Sequence, residues 1–179
     1  MIEPFHNLFK ARPAPRQTQH DGKFEELGLN LKKEISSIFG RSLAIRELDA
    51  GSDNAAEIEC NNLGTPYYDI ERFGISFVAS PKHADIMLVT GAVTLNMEMA
   101  VLKTYEVMPS PKMVIAVGDD ACDGGIFKGT YAVRGGVDKI LPVDIKIPGN
   151  PPTPTAIMNG LLALMSVLKK DKPETKDRT

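Results

Sequence analysis

Two short and almost uninterrupted apolar segments, "ADIMLVTG" and "KMVIAVG", constrain the fold of this chain most strongly. Apolar runs of this kind are typical of strands that are covered on both faces of a sheet. The stretch between them, "NMEMAVLKTYEVM", has the character of a helix. Because two strands joined through a helix run parallel with a right-handed crossover, the sequence predicts a doubly wound α/β domain.

The remaining segments extend the same alternation of strands and helices. Apolar residues at three- and four-residue spacing in "LGLNLKKEISSIFG" predict a helix that ends at a glycine. Its buried face carries Leu27, Leu31, Ile35 and Ile38. We expect further strands at "SLAIREL" and "GISFVAS", a strand edge at "KILPVDI", a helical or looped stretch near 54–69, and a closing helix at "TPTAIMNGLLALMSVLKK". The prediction is one α/β domain over residues 24–170, with a mainly parallel sheet of about four strands.

The two ends of the chain differ from this domain in composition. Residues 1–23 combine prolines with polar side chains, which predicts an extended arm that either anchors on a partner or frays. Residues 171–179 form a charged tail that we expect to be solvated. No segment has the pattern of a signal peptide, and the apolar stretch "AIMNGLLALMSVL" is too short to span a bilayer. We therefore expect a cytoplasmic protein that reaches a membrane only by docking on a complex.

Charge and cysteine content exclude two classes of function. The formal net charge of −2 and the pI near 5.9 give no basic field, so nucleic acid is not an expected partner. The 2 cysteines, Cys60 and Cys122, supply neither a disulfide framework nor four thiolates for a cluster. Neither has a histidine neighbour that would mark a nucleophile, so both are interpreted as buried structural thiols.

Three loops are expected to meet at the carboxyl edge of the sheet, where ligands of open α/β sheets bind. They are "DAGSDNAAEIE", "VGDDACDGGIF" and "PGNPPTP", with "VTGAVT" beside them. The glycines of these loops fit neither the P-loop nor the dinucleotide-binding spacing and are assigned to tight turns. Five carboxylates could gather around a hard cation or could instead cap helices and face solvent. They are Asp53, Glu57, Asp119, Asp120 and Asp123.

Four longer segments, in unbroken order over roughly residues 42–168, carry a resemblance to a known family. They are "AGSDNAAEIE", "TPYYDIERFGISFVASPKHADIMLVTGAVTLNM", "MPSPKMVIAVGDDACDGGIF" and "DKILPVDIKIPGNPPTPTAIMNGLLALM". The chain resembles the small electron-transfer subunit of membrane-associated group 4 [NiFe] hydrogenases and formate hydrogenlyase. It also resembles the homologous 20-kDa subunit of complex I, the NADH:quinone oxidoreductase. The hydrogenase branch fits better, because the first motif aligns with a C-x-x-C pair and not with adjacent cysteines.

The resemblance implies a flavodoxin-like fold and a [4Fe–4S] cluster that the converging loops hold through four cysteines. The family patterns GSCNGC, GxCAxxGG and PGCPP place the four ligand positions at Asp53, Ala56, Asp120 and Asn150. None of these four ligand positions is a cysteine, and Cys60 and Cys122 lie near them but not at them. Because such clusters need soft thiolate ligands, we expect no [4Fe–4S] cluster and no other cofactor. Asp53 and Asp120 remain candidates for sharing a cation or a proton.

These observations predict a cluster-free, structural or redox-inactive relative of the family, without catalytic residues of its own. The partners that the resemblance implies are a large hydrogenase/complex I-type subunit, a ferredoxin-like subunit and a membrane arm, with the chain peripheral on the cytoplasmic face. The arm and residues 54–69 are the candidate partner contacts. One alternative is an electron-transfer subunit that holds a different centre, with Cys60 and Cys122 as ligands. Another is a flavin- or small-ligand-binding module, which lacks a recognisable phosphate loop.

Overall fold

The computed structural model describes residues 22–171. The strands are β1 Leu43–Asp49, β2 Ile75–Phe77, β3 Ile86–Thr90, β4 Val93–Thr94, β5 Met113–Val117, β6 Val133–Gly135 and β7 Ile145–Ile147. The helices are α1 Gly22–Phe39, α2 Ala55–Leu63, α3 Glu98–Val107, α4 Asp119–Asp123 and α5 Pro154–Asp171. The predicted arm, 1–23, and the predicted tail, 171–179, lie outside the described residues apart from their inner ends, which belong to α1 and α5.

The main sheet has five parallel strands in the order β2-β1-β3-β5-β7. Counted along the chain within this sheet, that order is 2-1-3-4-5, which is the flavodoxin-like order. The predicted α/β, doubly wound, flavodoxin-like class is therefore confirmed. β4 and β6 form a separate two-stranded antiparallel ribbon.

The expected count of about four strands was too low, because the predicted strand edge is a full fifth strand, β7. This strand lies further along the chain than the sequence predicts. The expected edge segment "KILPVDI" contributes only Ile145, and β7 continues through Ile147. Pro142 has no backbone N–H to donate to a neighbouring strand, so pairing begins only after it. The Asp144 carboxylate then accepts a hydrogen bond from the backbone N–H of Val114 at 2.7 Å, at the point where β7 joins β5.

Helices α1, α2 and α5 cover one face of the sheet, and α3 and α4 cover the other. On α1 the predicted apolar face is confirmed, since Leu31 and Ile35 are fully buried and Leu27 and Ile38 pack against the same core. Each fully buried side chain of this kind contributes roughly 1.5–3 kcal/mol. Gly28 lies on the same face, where a Cβ atom would overlap the ring of Phe73.

Short loops bring the ends of β1, β3 and β5 to one edge of the sheet, where the candidate site lies. Helix α5, which follows the loop after β7, begins with a cap: Thr153 Oγ1 accepts a hydrogen bond from the N–H of Ala156 at 3.2 Å. Within residues 22–171, no helix combines the length and the apolar character needed to cross a membrane.

Candidate functional site

The loop after β1 is shaped by its own carboxylates. Asp49 Oδ1 accepts hydrogen bonds from the backbone N–H groups of Gly51, at 2.7 Å, and Ser52, at 2.8 Å. Asp53 Oδ1 accepts one from Ala55 at 3.0 Å, at the start of α2. Turns of this type occupy one oxygen of each carboxylate and fix the backbone, so Asp53 is held at the start of α2.

The loop after β5 is tied to the loop before α5 by Asp119. Its side chain accepts a hydrogen bond from the N–H of Gly149 at 2.8 Å, and its own N–H donates to the carbonyl of Gly149 at 2.9 Å. Gly118, the residue before it, has φ +92, a conformation that glycine adopts without strain. Asp119 therefore links the loop after β5 to the loop before α5.

The predicted convergence of the loops is confirmed. A Cβ atom on Gly118 would lie 3.6 Å from the Ala56 Cβ and 3.6 Å from the Gly149 carbonyl oxygen. Gly91, in "VTGAVT", has φ +71 and approaches the backbone of Ser52 so closely that a Cβ atom would overlap it. At Gly91 only glycine permits this approach, and at Gly118 the positive φ favours glycine, so the contact of the loops is encoded by the sequence.

The converging loops enclose a cavity of about 10 Å³, which we call the loop cavity. All four ligand positions line it: Asp53, Ala56, Asp120 and Asn150. Asp53 and Asn150 are exposed on its outer side, whereas Ala56 and Asp120 are buried, with exposed fractions of 7% and 9%. The structure therefore brings together the positions that the resemblance assigns to one cluster, and they offer two carboxylates, one amide and one methyl group.

Asp120 has an unfavourable environment in this cavity. Its Oδ1 is buried and has no hydrogen-bond partner among the described residues. Burial raises the pKa of this carboxyl above its usual range, the charge of Asp53 raises it further, and the backbone N–H of Ile126 opposes the shift. Asp120 and Asp53 therefore repel each other across the loop cavity when both are ionised.

The two thiols do not reach the loop cavity and do not meet each other. Cys60, on α2, is fully buried in the core on one face of the sheet, and burial raises the pKa of its thiol. Cys122, on α4, packs in the core on the opposite face, where burial raises the pKa of its thiol to about 11. Because the sheet separates them, they cannot ligate one centre, and the expectation that both thiols are buried is confirmed.

Two interacting acids, Glu47 on β1 and Glu57 on α2, were missed by the sequence analysis. Glu57, on α2, is 8% exposed, and neither of its carboxylate oxygens has a hydrogen-bond partner within residues 22–171. Glu47, on β1, has one buried carboxylate oxygen without a hydrogen-bond partner in the same range. Burial raises the pKa of Glu47 most, the negative charge of Glu57 raises it further, and the result is a pKa of about 7. The two-residue period of a strand could have identified Glu47, because its side chain lies on the same face of β1 as those of Leu43 and Ile45. Glu57, by contrast, is one of the five carboxylates for which the sequence leaves a cation site, a helix cap or the solvent as alternatives, and it does not line the loop cavity.

Comparisons with known proteins agree with this geometry. The family described as "NADH ubiquinone oxidoreductase, 20 Kd subunit" matches residues 54–164. Formate hydrogenlyase subunit 7 of Escherichia coli is 43% identical over 141 residues, which are 79% of this chain and 55% of that protein. The probable membrane-bound hydrogenase subunit mbhJ of Pyrococcus furiosus is 41% identical over 143 residues, 78% of this chain and 86% of that one. A subunit of the NADH-quinone oxidoreductase of Geobacter metallireducens is 47% identical over 115 residues, 64% of this chain and 67% of that protein.

A solved structure extends the comparison from sequence to fold. A chain of the membrane-bound sulfane sulfur reductase, an archaeal respiratory membrane complex, matches with a TM-score of 0.67 and 35% identity, over 79% of this chain and 77% of that chain. This chain thus spans about half the length of formate hydrogenlyase subunit 7 and larger shares of its other relatives. The region that matches the family, residues 54–164, contains α2 to β7, the first part of α5 and most of the residues that line the loop cavity. The chain belongs to the family of the 20 Kd subunit of NADH ubiquinone oxidoreductase.

Proposed function

We propose that this chain is a subunit of a membrane-associated oxidoreductase complex of the hydrogenase/complex I type, in which it holds no [4Fe–4S] cluster. It acts there as a structural, redox-inactive member. The single observation that carries the proposal is that all four ligand positions line one cavity and that none of them provides a thiolate. The loop geometry of the family fold is thus retained without the ligands of its cluster.

The chemistry of the donor set supports the absence of a cluster. Iron–sulfur clusters are held by thiolates, with histidine as the usual replacement, and neither residue type lines the loop cavity. Ala56 has no donor atom, and the exposed Asn150 offers only a neutral amide. Cys60 and Cys122 lie on opposite faces of the sheet and cannot replace the missing ligands.

Membership of a complex is supported by the relatives and by one exposed region. The relatives are named as subunits of formate hydrogenlyase, of a membrane-bound hydrogenase and of NADH-quinone oxidoreductase. Two large apolar side chains of the 54–69 region are exposed, Ile58 at 51% and Tyr67 at 45%. Large apolar side chains that are exposed to solvent, as in residues 54–69, favour contact with a partner protein. We assign this surface to the large hydrogenase/complex I-type subunit, with the chain peripheral on the cytoplasmic face.

Affinity purification of the tagged full chain from its native host tests the assembly. We expect a large subunit of this type to co-purify from the membrane fraction with the wild-type chain. The variant Ile58→Glu places a charge on the proposed contact and should lose the large subunit. The matched control Val167→Glu changes an apolar residue on α5 that is 43% exposed and should retain it. Recovery of no large subunit, or equal recovery with both variants, would contradict the assignment.

A further inference from the structure

We propose that a groove beside α4 binds a basic segment of the chain's own arm, residues 8–16. The groove, which we call the α4 groove, has a volume of about 710 Å³ and lies between α4 and the loop before α5. Its lining combines two exposed apolar side chains with three carboxylates: Ile126, Pro148, Asp119, Asp120 and Asp123. The contact lies within one chain, so the inference goes beyond the proposed function and does not depend on it.

The first support is the exposed apolar part of the α4 groove. Ile126 is 79% exposed, and Pro148, which enters the groove from the loop before α5, is exposed as well. Large apolar side chains left in contact with water in this way mark surfaces that bind another group. An occupant that places apolar groups against Ile126 removes this surface from water and stabilises the complex.

The second support is the charge of the α4 groove. Among the described residues, the three carboxylates share the groove with one ammonium group, that of Lys146, which Asp138 holds at 2.8 Å. Lys128 lies outside the groove, 3.5 Å from Asp123, and both side chains are exposed, so this pair is weak. The N–H of Gly125 lowers the pKa of Asp123, which keeps that carboxylate ionised. The groove is therefore negative and fits a cationic segment.

The arm contains a segment of matching composition. Residues 8–16, "LFKARPAPR", begin with two large apolar side chains and contain no acid. Their cationic side chains are Lys10, Arg12 and Arg16. Pro13 and Pro15 restrict the backbone between the two arginines, and a segment that is already extended loses little conformational entropy when it binds in a groove. The segment thus complements both the charge and the apolar surface of the α4 groove.

The arm begins at a point from which it can reach the α4 groove. Helices α1 and α5 both run from the carboxyl edge of the sheet towards its amino edge, because α1 precedes β1 and α5 follows β7. They lie side by side, and Glu34 pairs with Lys169 at 2.9 Å. Since both helices rise by about 1.5 Å per residue, Gly22 lies level with the first turn of α5. That turn follows the loop that contains Asn150, which lines the groove. The residues that join segment 8–16 to Gly22 span up to about 20 Å, which is enough.

Carbodiimide cross-linking measures the contact directly, because it joins a lysine amine to a carboxylate that touches it. Lys10 is the only lysine on the N-terminal side of α1. The purified full chain is treated with the reagent and digested, and its cross-linked peptides are identified by mass spectrometry. We expect Lys10 to be joined to Asp123 or Asp119. The ion pair of Lys169 and Glu34 serves as the internal positive control.

Two pairs of variants assign the contact to the α4 groove and to the arm. Ile126→Ser should lower the yield of the cross-link about threefold, because it removes apolar surface from the groove. The matched control Tyr131→Ser changes another exposed side chain, which does not line the groove, and should leave the yield unchanged. Arg12→Glu should lower the yield about fivefold, because an attraction becomes a repulsion, whereas Arg178→Glu in the tail should not change it.

A mixture of isotope-labelled and unlabelled chains shows whether the arm binds its own chain. We expect the Lys10 cross-links to contain peptides of one label only. Cross-links of mixed label would assign the groove to the arm of a second copy and contradict the inference. Two further results would overturn it: no cross-link from Lys10 to either aspartate while the control pair reacts, or equal yields from Ile126→Ser and Tyr131→Ser.

Discussion

Replacing Glu47 by glutamine should make the protein more stable at alkaline pH and leave its stability almost unchanged at acidic pH. Burial and the charge of Glu57 raise the pKa of Glu47 from 4.5 to about 7 in the folded chain. Asp49 on the same strand reinforces the shift, and Arg46 opposes it. Because the folded-state pKa is raised, the stability that the protonated group contributes is complete below pH 4.5 and is lost as the pH rises through about 7.

The magnitude follows from the size of this change. The interval from 4.5 to about 7 corresponds to about 3–4 kcal/mol at about 1.4 kcal/mol per pKa unit. Because Glu47 is only half-buried, solvent screening reduces the expected value to about 2 kcal/mol. Glutamine has the shape of the protonated acid and carries no charge at any pH, so Glu47→Gln should abolish this loss.

Urea denaturation of the wild type and the variant at pH 4 and pH 8.5 measures the difference. We expect the free energies of unfolding to agree within about 0.5 kcal/mol at pH 4 and the variant to be about 2 kcal/mol more stable at pH 8.5. The control Glu26→Gln, on the exposed face of α1, should give no pH-dependent difference. A variant advantage that is the same at both pH values, or a loss of stability at pH 8.5, would refute the argument.

Two further predictions test the packing that surrounds the site. Gly28→Ala should destabilise the protein by about 1–3 kcal/mol in denaturant melts, because the added methyl group overlaps the ring of Phe73, whereas Gly22→Ala, with no atom within 4 Å of the added group, should not. Cys60 and Cys122 are buried and their thiol pKa values are raised, so iodoacetamide at pH 8 should modify both slowly in the native protein and rapidly in urea. Mass spectrometry measures the extent of modification, and rapid modification of either cysteine in the native protein would contradict its burial.

The sequence determines the sheet edge well, because the rules that govern it are local. The apolar segments of β3 and β5 predict parallel strands, and parallel strands place their carboxyl-terminal loops at one edge. Gly91 permits the close approach of two of those loops, and Gly118 supplies the positive φ that a third requires. The convergence of the loops that carry the four ligand positions could therefore be predicted from the sequence alone.

Other features depend on tertiary contacts that a single sequence does not display. The edge strand β7 is defined by pairing with β5, and only its first residue lies in the apolar segment that suggested a strand. The opposite positions of Cys60 and Cys122 depend on which face of the sheet each helix covers. The half-buried Glu47 on β1 interacts with the buried Glu57 on α2, and the raised pKa of Glu47 depends on that packing.

The iron and acid-labile sulfide content of the chain tests the central claim most directly. The tagged full chain is purified anaerobically from its native host. Its iron, its acid-labile sulfide and its visible absorption spectrum are then measured on the same sample. We expect the chain itself to contain no iron above background and no absorption from a cluster, even when a large subunit co-purifies. About four irons and about four sulfides per chain, with the absorption of a [4Fe–4S] centre, would contradict the account.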